Sequence, residues 1–365
     1  MRDKCLWVTS LQSRAGFIHN VLTMKILVTG AAGFIGYHVM EMLARRGDDV
    51  TGIDNINDYY APELKYARLA ECGFAREDVE WHLNIAQSTR FDNCTFIRMS
   101  IDDTEHLKSL FDRYSFDVVV NLAAQAGVRY SISHPFDYMH SNLDGFLNIL
   151  ECCRNHHVGH LVFASSSSVY GANNKVPYSE TDMTDTPVSL YAASKKADEL
   201  MAYSYSRLYR LRTTGLRYFT VYGPWGRPDM APMLFANAIS RGESIKVFNH
   251  GEMWRDFTYI DDIVKGTMGV IDSPEPKEQD AVHHTIYNIG RSHPVKLTDF
   301  ISELEQALGR KARMEMLPMQ PGDVFKTWAD TSKLERELGY CPSVELPEGI
   351  EKFIAWYQSD KNPLR

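Results

Sequence analysis

The stretch ILVTGAAGFIG, residues 26–36, decides the fold of this chain. Four apolar or β-branched residues form a short strand pattern, and the glycine-rich turn after them leads into an amphipathic helix. Gly30, Gly33 and Gly36 follow the spacing GxxGxxG, so backbone N–H groups and the helix N-terminus can receive a pyrophosphate. Taken alone this signal is weak, because any tight strand-to-helix turn needs glycine.

The segments around this turn support a dinucleotide-binding fold. From residue 25 onward, short β-branched runs alternate with longer amphipathic segments, which is the pattern of a parallel sheet crossed by helices. The predicted strands are 26–29, 50–53, 95–99, 117–121, 160–164 and 214–218. The predicted helices are 35–46, 105–114, 136–156 and 190–209. We therefore predict an α/β fold with a doubly wound parallel sheet of the Rossmann type.

A smaller C-terminal substrate lobe is expected, because the strand–helix rhythm stops after residue 218. Loops rich in Gly and Pro follow at 223–232, and helices are predicted at 297–308 and 349–357. The polar segment 55–94 is too long for an ordinary connection and is predicted to be an insertion at the sheet edge. The predicted units are an extension (1–23), an NAD-binding domain (24–218) and a mostly substrate-binding lobe (219–365), with parts near 256–290 returning to the cofactor domain.

Composition excludes several classes of function. A net charge of −8 over 365 residues disfavours binding to nucleic acid or to an anionic membrane surface. No apolar run approaches the length that crosses a bilayer. The six cysteines contain no CxxC pair, so we expect reduced thiols, a cytoplasmic location and no metal site. Residues 1–23 mix charges with short apolar pieces, which predicts a disordered extension rather than a signal peptide.

Asp54 is the predicted partner of the cofactor ribose. It ends the second predicted strand, eighteen residues after Gly36, where a carboxylate can accept hydrogen bonds from the adenosine ribose hydroxyls. Its charge would repel a 2′-phosphate, and Asn55 supplies no compensating cation, so NAD is expected rather than NADP. The alternative is that Asp54 only caps a turn. At the end of the fourth predicted strand, Ala123 and Ala124 offer small side chains against which a cofactor could lie.

Tyr191 and Lys195 are the candidate catalytic pair. They lie four residues apart, hence on one face of a predicted helix. A tyrosine with an ordinary pKa of about 10 is a poor base at neutral pH, and a nearby ammonium favours its phenolate. The serine run 165–168 follows the fifth predicted strand, at the sheet edge where ligands bind in such folds. An exposed Tyr–Lys pair and a polar turn are the alternatives.

The chain resembles the extended short-chain dehydrogenases/reductases, and among them closely the UDP-glucuronate 4-epimerases, over residues 24–358. The resemblance rests on VTGAAGFIG, DNINDYY, NLAAQAGVRYS, ASSSSVYG, LYAASKKADE, RYFTVYGPWGRPDM, WRDFTYIDDIV and QPGDV. It implies a catalytic hydroxyl at Ser166, a base at Tyr191 and its partner at Lys195. It also implies NAD as cofactor and a UDP-sugar as substrate.

The resemblance further implies two sets of binding residues. Those expected at the cofactor are Gly30, Gly33, Phe34, Ile35, Gly36, Asp54, Asn55, Asn57, Leu122, Ala123, Ala124, Gln125, Asn142, Tyr191, Lys195 and Tyr218. Those expected at the substrate are Arg129, Ser166, Ser167, Thr220, Arg227, Phe248, Arg255 and Asp323. Phe248 would cradle the uridine, and Arg255 would grip the diphosphate.

Two positions depart from the pattern of relatives. Ser100 stands where relatives usually carry an Asp beside the adenine. Gln320 stands where glucose/galactose epimerases carry an Arg, so the diphosphate would depend more heavily on Arg255.

The implied reaction is interconversion of UDP-glucuronate and UDP-galacturonate through a 4-keto intermediate, with NAD regenerated in each turnover. A 4,6-dehydratase of this class would need an Asp-Glu pair where Ser167 and Ser168 stand, and a UDP-glucuronate decarboxylase would carry Glu at Ser168. UDP-glucose/UDP-galactose 4-epimerase remains an alternative. A non-catalytic cofactor-binding regulator would be expected to lose Tyr191 or Lys195, and both are present.

Thr220 and Arg227 are the candidate contacts of the sugar carboxylate. A guanidinium can pair with a carboxylate through two hydrogen bonds, and Thr can add a third without adding negative charge. A solvated loop Arg and a capping Thr are equally compatible with the spacing. The resemblance also implies a homodimer through helices near 137–155 and 190–210, although ordinary core packing would explain the same apolar stripes.

Overall fold

The computed structural model describes residues 23–277, 279–320 and 324–365. Part of the predicted N-terminal extension, residues 1–22, therefore lies outside the described residues. The strands are β1 (Lys25–Thr29), β2 (Asp49–Asp54), β3 (Ile85–Gln87), β4 (Cys94–Arg98), β5 (Val118–Asn121), β6 (His160–Ser166), β7 (Thr213–Tyr218), β8 (Thr220–Tyr222), β9 (Ser244–Val247), β10 (Trp254–Arg255), β11 (Phe257–Tyr259), β12 (His284–Ile289), β13 (Val295–Lys296) and β14 (Arg313–Met316).

The helices flank these strands and fill the C-terminal part of the chain. They are α1 (Phe34–Arg46), α2 (Pro62–Glu71), α3 (Arg76–Val79), α4 (Thr104–Arg113), α5 (Tyr130–Ser133), α6 (Pro135–Tyr138), α7 (Gly145–Asn155), α8 (Leu190–Tyr209), α9 (Ala231–Arg241), α10 (Ile260–Ile271), α11 (Leu297–Leu308), α12 (Ser332–Leu338) and α13 (Leu346–Gln358). A π-helical segment covers Met139–Asp144, and short 3₁₀ turns cover Ser167–Tyr170 and Phe248–Gly251. None of the helices formed by the described residues is long and apolar enough to cross a bilayer.

One large sheet has the strand order β12-β7-β6-β5-β1-β2-β4-β3. Its pairings are parallel except that of β3 with β4. The chain winds outward from β1 to β4 and then returns to β5 on the other side of β1. The carboxyl ends of β1 and β5 therefore form the point where the strand order reverses, which is the usual ligand-binding edge. The predicted doubly wound α/β fold is confirmed.

Both faces of this sheet are covered. Ile26 and Val28 of β1 pack into one hydrophobic cluster, whereas Leu27 between them packs into another. All three side chains are fully buried. This explains why the strands read as continuous apolar runs rather than as alternating patterns, since parallel sheets bury both faces.

Three details differ from the sequence prediction. The predicted helix 136–156 is divided by the π-helical segment, because Asn142 is buried and bonded to the backbone of Gln125 instead of extending a regular apolar stripe. The insertion 55–94 contains α2, α3 and the edge strand β3. Strand β12 was not predicted, and it extends the main sheet by pairing with β7.

The small sheets of the C-terminal half pair β8 with β11, β9 with β14, and β10 with β13. Helix α11 packs between α9 and α13 and buries Phe300, Ile301 and Leu304. Near 256–290 the chain returns to the large sheet, with α10 against α1 and β12 at the edge. Residues of β8, α9, β9 and β10 line one side of a cleft at the carboxyl ends of the main strands.

Candidate active site

A cavity of about 1460 Å³ runs along the carboxyl ends of the main strands into the C-terminal half. Its lining is contributed by the ends of β1, β2, β5, β6 and β7 and by loops of the smaller sheets. This volume exceeds the 300–1,000 Å³ or so that is typical of a site for one small ligand. The cavity can therefore accommodate a dinucleotide and a nucleotide-sized substrate together.

The glycine-rich turn forms a cradle that a dinucleotide would fill. Gly30 has φ of +67°, and a Cβ there would lie 2.8 Å from the backbone nitrogen of Ala123. A Cβ on Gly36 would lie 2.1 Å from the carbonyl oxygen of Gly30. Helix α1 has no acidic residue in its first turn and no side-chain cap at Gly33, so its N-terminal N–H groups are open to an anion. This geometry fits the pyrophosphate of NAD.

Asp54 lies at the end of β2, lines the cavity and is buried. Its carboxylate accepts hydrogen bonds from the backbone N–H groups of Ala32, at 3.2 Å, and Ile56, at 2.8 Å. These bonds fix the carboxylate at the edge of the glycine turn and leave lone pairs for a ribose. Lys65, which is not among the predicted cofactor residues, lies 3.8 Å from Asp54, is buried and also lines the cavity.

Most of the predicted cofactor residues converge on this part of the cavity. Asn142 is different, because it is fully buried and does not line the cavity. Its side chain accepts from the Gln125 N–H at 2.8 Å and donates to the Gln125 carbonyl and to Ser194 Oγ. It therefore reaches the cofactor side through Gln125. The predicted residues that do line the cavity are Gly30, Gly33, Phe34, Ile35, Gly36, Asp54, Asn55, Asn57, Leu122, Ala123, Ala124, Gln125, Tyr191, Lys195 and Tyr218.

The three catalytic candidates face the same cavity from two elements. Ser166 is the last residue of β6 and lines the cavity. Its Oγ accepts a hydrogen bond from the N–H of Ser168 at 3.1 Å, which fixes the side chain. Tyr191 and Lys195 lie on α8, which begins after Ser189, whose hydroxyl caps the Ala192 N–H at 3.1 Å. The cap fixes the first turn of α8 and with it the position of Tyr191.

A buried polar network fixes α8 against the sheet. Arg217 of β7 donates two hydrogen bonds, both 2.8 Å, to Glu199 of α8. Ser165 of β6 donates to the same carboxylate at 2.6 Å. Because Glu199 is satisfied on both oxygens, α8 has a fixed register relative to β6 and β7. This network sets where Tyr191 stands relative to Ser166.

The C-terminal half supplies most of the other predicted contacts. Phe248 and Arg129 line the cavity together, with the guanidinium 5.1 Å from the centre of the ring. Arg255 lines it too and donates to the carbonyl of Trp254 at 2.9 Å. Gln320 lines it with a buried side-chain oxygen that has no hydrogen-bond partner among the described residues. Ser167 and Thr220 also line the cavity, whereas Asp323 lies outside the described residues.

Arg227 lies in the cavity wall but is already paired. Its Nε and Nη2 groups donate to Asp229 at 3.0 and 2.6 Å, and the Tyr59 hydroxyl donates to the same carboxylate at 2.9 Å. Burial alone would raise the pKa of Asp229, but Arg227 and Tyr59 together lower it below its ordinary value. The cation that was expected to face the substrate is therefore balanced by a carboxylate that remains ionised at neutral pH.

A possible metal-binding group lies outside the cavity. Among the described residues, the ligand atoms of His82, Asp103 and His106 come within 4.8 Å of one another. Asp103 caps α4 and contacts the ring of His106 at 2.7 Å, so these two side chains already have partners. None of the three lines the cavity that contains Tyr191.

The model of the NAD dependent epimerase/dehydratase family matches residues 26–290 of this chain. Among curated proteins, UDP-glucuronate 4-epimerase 3 from Arabidopsis thaliana is 47% identical over 358 residues, covering 95% of this chain and 78% of the plant protein. Protein CapI from Staphylococcus aureus is 45% identical over 345 residues, covering 92% of this chain and 98% of its own length.

Solved structures agree with these sequence matches. UDP-glucuronic acid 4-epimerase from Bacillus cereus, in complex with UDP-glucuronic acid and NAD, has a TM-score of 0.79 at 33% identity, with 91% of this chain and 98% of that chain covered. UDP-glucose 4-epimerase from Thermotoga maritima, with UDP-glucose, has a TM-score of 0.78 at 29% identity, with 92% and 99% covered.

Proposed function

The chain belongs to the NAD dependent epimerase/dehydratase family, and we propose that it interconverts UDP-glucuronate and UDP-galacturonate as an NAD-dependent 4-epimerase. The observation that carries this proposal is the joint position of Tyr191, Lys195 and Ser166 in one cavity with the glycine cradle. UDP-glucuronate 4-epimerases from Arabidopsis thaliana and Bacillus cereus are among the relatives of this chain.

The reaction needs a base at the 4-hydroxyl of the sugar. The Tyr191 phenolate takes that proton, Ser166 hydrogen-bonds the same oxygen, and the Lys195 ammonium stabilises the phenolate electrostatically. Bound NAD supplies reversible oxidation of the carbon 4 alcohol. When the sugar presents its other face, Tyr191 returns the proton to the carbon 4 oxygen, so the product differs only in configuration.

The nucleotide must be held firmly while the sugar turns. Phe248, with Arg129 against its ring, offers an aromatic surface for the uracil. Arg255 offers a guanidinium for the diphosphate, and the Gln320 side-chain oxygen, which has no hydrogen-bond partner in the described part of the chain, offers an acceptor in the same wall. We infer that Thr220 and Arg227 receive the sugar carboxylate. Asp323 is proposed as a further substrate contact from its sequence motif alone.

Further chemistry on the keto sugar would need additional acid–base groups. The carboxylates among the cavity-lining residues are Asp54, Asp229 and Glu243, and none of them follows β6, where Ser167 and Ser168 stand. A dehydratase or decarboxylase of this class would place a carboxylate there. The proposed outcome is therefore epimerisation without loss of water or carbon dioxide.

One incubation tests the proposal. Purified protein is given UDP-glucuronate with NAD, and the products are separated by ion-exchange chromatography and identified by NMR. We expect UDP-galacturonate, approach to the same mixture from either epimer, and no accumulation of NADH absorbance. Formation of a UDP-pentose with carbon dioxide would assign a decarboxylase instead. Turnover of UDP-glucose with none of UDP-glucuronate would assign a neutral-sugar epimerase.

We also propose a cytoplasmic homodimer built on α7 and α8. The cytoplasmic assignment is supported by buried thiols at Cys72, Cys94, Cys152 and Cys153 that are not joined in disulfides, whereas the prediction of a reduced thiol is wrong for Cys341, which is disulfide-bonded. Helix α8 exposes Leu200 (58%) and Leu208 (66%) on the side opposite its buried face, and α7 exposes Leu147 (41%). Such apolar side chains on adjacent helices are suited to a self-complementary contact.

The dimer is tested by sedimentation velocity. Wild type is expected to sediment as a dimer, and Leu208→Glu as a monomer. Met183→Glu is the control, because Met183 is equally exposed (72%) but lies outside these helices. A monomeric wild type, or equal effects of the two substitutions, would rule out this interface.

A further inference from the structure

Lys195 is held by a second charged residue of its own helix. Its ammonium donates to Asp198 Oδ2 at 3.0 Å, and the two side chains are 4% and 2% exposed. Asp198 lies one helical turn beyond Lys195, which in turn lies one turn beyond Tyr191. The three ionisable groups therefore form a row along one face of α8.

Asp198 is otherwise poorly satisfied for a buried carboxylate. Its second oxygen, Oδ1, is buried and has no hydrogen-bond partner among the described residues. Burial raises the pKa of Asp198 to about 6, against the opposing effect of Lys195. A carboxylate in such surroundings is costly unless it is paired. The pairing with Lys195 is therefore its main compensation, and nothing in the core packing requires an acid here.

The other charged groups around α8 already have partners. Glu199, which also acts on Asp198, is held by Arg217 of β7 and Ser165 of β6. Glu151 of α7 accepts from the Tyr205 hydroxyl, and burial lowers the pKa of His284 of β12 to about 4, so that this ring is neutral near pH 7. The π-helical segment contacts α8 through the neutral side chain of Asn142. Helix α6 contacts α8 through Tyr138, whose ring centre is 6.0 Å from that of Tyr191.

We propose that Asp198 is a positioning residue for the reaction: it holds the Lys195 ammonium one helical turn from Tyr191, and its negative charge acts on the proton transfer that these two groups perform. This inference rests on the proposed function, since it takes Tyr191 as the base. Tyr191 and Asp198 are seven residues apart, which is about 10 Å along a helix. At an effective dielectric constant near 20, a charge at that distance changes a proton-transfer equilibrium on the order of tenfold.

The direction of the effect follows from the sign of the charge. A nearby negative charge disfavours loss of a proton by a phenol or an ammonium, so removing that charge should move the pH dependence of a reaction that uses such groups to lower pH. Asp198→Asn keeps the shape and removes the charge. The pH profile of kcat/KM should then move to lower pH by about one pH unit.

The first experiment compares pH profiles of kcat/KM with UDP-glucuronate for wild type, Asp198→Asn and Asp262→Asn. Asp262 is the matched control, a carboxylate that is 1% exposed, caps the Ser343 and Val344 N–H groups and does not line the cavity. We expect the bell-shaped profile to shift for Asp198→Asn only. An unshifted profile for Asp198→Asn, or the same shift in both variants, would overturn the proposal.

A second experiment does not depend on the substrate. Thermal unfolding at pH 8 is compared for Lys195→Met, Asp198→Asn and the double variant. Each single change leaves one buried charge without its partner, so the double variant should lose less in Tm than the sum of the two single losses. Additive losses would overturn the pairing. If the wild type does not turn over UDP-glucuronate, the proposed function fails, and this cycle still decides whether Asp198 holds Lys195.

Discussion

Arg227 and Asp229 are joined by two parallel hydrogen bonds inside the cavity wall, from Nε to Oδ1 at 3.0 Å and from Nη2 to Oδ2 at 2.6 Å. The Arg227 side chain is 21% exposed, and the Tyr59 hydroxyl also lies within hydrogen-bonding reach of the guanidinium. An arginine has five N–H donors, so the pair with Asp229 leaves donors for a second carboxylate. Asp229 therefore fixes the orientation of Arg227 but does not occupy all of its N–H donors.

Arg227→Met is expected to weaken use of UDP-glucuronate selectively. A hydrogen bond to a charged group contributes about 1.5–3 kcal/mol, so kcat/KM for UDP-glucuronate should fall roughly ten- to a hundredfold, while a neutral UDP-hexose is hardly affected. The measurement is kcat/KM for both substrates in wild type and variant. Equal losses for the two substrates would show that Arg227 does not read the carboxylate.

Asp229→Asn is the companion variant. It keeps a side chain of the same shape beside Arg227 but removes the charge that balances it. The ratio of kcat/KM for UDP-glucuronate to that for UDP-glucose should therefore rise relative to wild type. A lower ratio of the two kcat/KM values would show that the Asp229 carboxylate is needed to place the guanidinium. An unchanged ratio would show that Arg227 does not bind the sugar carboxylate.

Tyr191→Phe should abolish most turnover while leaving binding nearly intact. General acid–base catalysis contributes about a hundred- to ten-thousandfold, so kcat should fall by at least a hundredfold. Binding of UDP-glucuronate, measured by calorimetry, should change little, because the ring remains. Tyr203→Phe is the control on the same helix, since Tyr203 is 49% exposed. Activity of Tyr191→Phe above a tenth of wild type would refute its assignment as the base.

The sequence could predict the parts of the site that depend on local chemistry. The glycine turn, Asp54 at the end of β2 and the pair Tyr191 and Lys195 are visible because short spacings on a strand, turn or helix dictate their geometry. The doubly wound sheet followed from the alternation of segments. The predicted strands agree with β1, β2, β4, β5, β6 and β7 to within one or two residues.

The remaining features depend on contacts between distant segments. Strand β12 pairs with β7 some seventy residues earlier, and its alternation alone does not reveal that partner. Lys65 comes near Asp54 only because α2 folds back over the end of β2. The π-helical segment results from Asn142 bonding the backbone of Gln125, across the end of β5. Such pairings are tertiary, and propensity or periodicity does not encode them.

Acid should destabilise the protein through His160. This ring is 2% exposed and its Nε2 lies 2.8 Å from Thr214 Oγ1. Burial, and next the charge of Arg212, lower the pKa of His160 to about 3. In the unfolded chain the histidine pKa is near 6.5. Between about pH 6.5 and 3 the unfolded chain therefore binds a proton at His160 that the folded protein does not bind. Stability from this group is complete above about pH 6.5 and falls as the pH drops toward 3.

His160→Gln isolates that contribution. Between pH 6.5 and 4.5 the wild type should lose about 2–3 kcal/mol of unfolding free energy through this one proton, and the variant should lack that part of the loss. Denaturant titrations at several pH values measure the two slopes. His140→Gln is the control, because His140 is 64% exposed and pairs with Asp144 at the surface. Identical slopes for wild type and His160→Gln would refute the assignment.

Asp54 and Lys65 are expected to have opposite effects on the choice between NAD and NADP. The Asp54 carboxylate lines the cavity at the end of β2 and would repel a 2′-phosphate there, but Lys65 Nζ lies 3.8 Å from it and donates to Asn57 Oδ1 at 2.7 Å. In wild type the two charges offset each other, and the carboxylate remains to accept hydrogen bonds from the ribose hydroxyls, so NAD is preferred.

Asp54→Asn should leave the Lys65 ammonium uncompensated beside the 2′-position. The preference for NAD should then narrow by about tenfold or more, chiefly through tighter binding of NADP, because a cation–phosphate hydrogen bond is among the stronger polar contacts. Adding Lys65→Met to Asp54→Asn should abolish the gain for NADP, and Lys65→Met alone should leave wild-type discrimination intact or enlarge it. Fluorescence titration with both cofactors measures the four ratios. If Asp54→Asn retains the full preference of wild type, the ribose end of the cavity is not where NAD and NADP are distinguished.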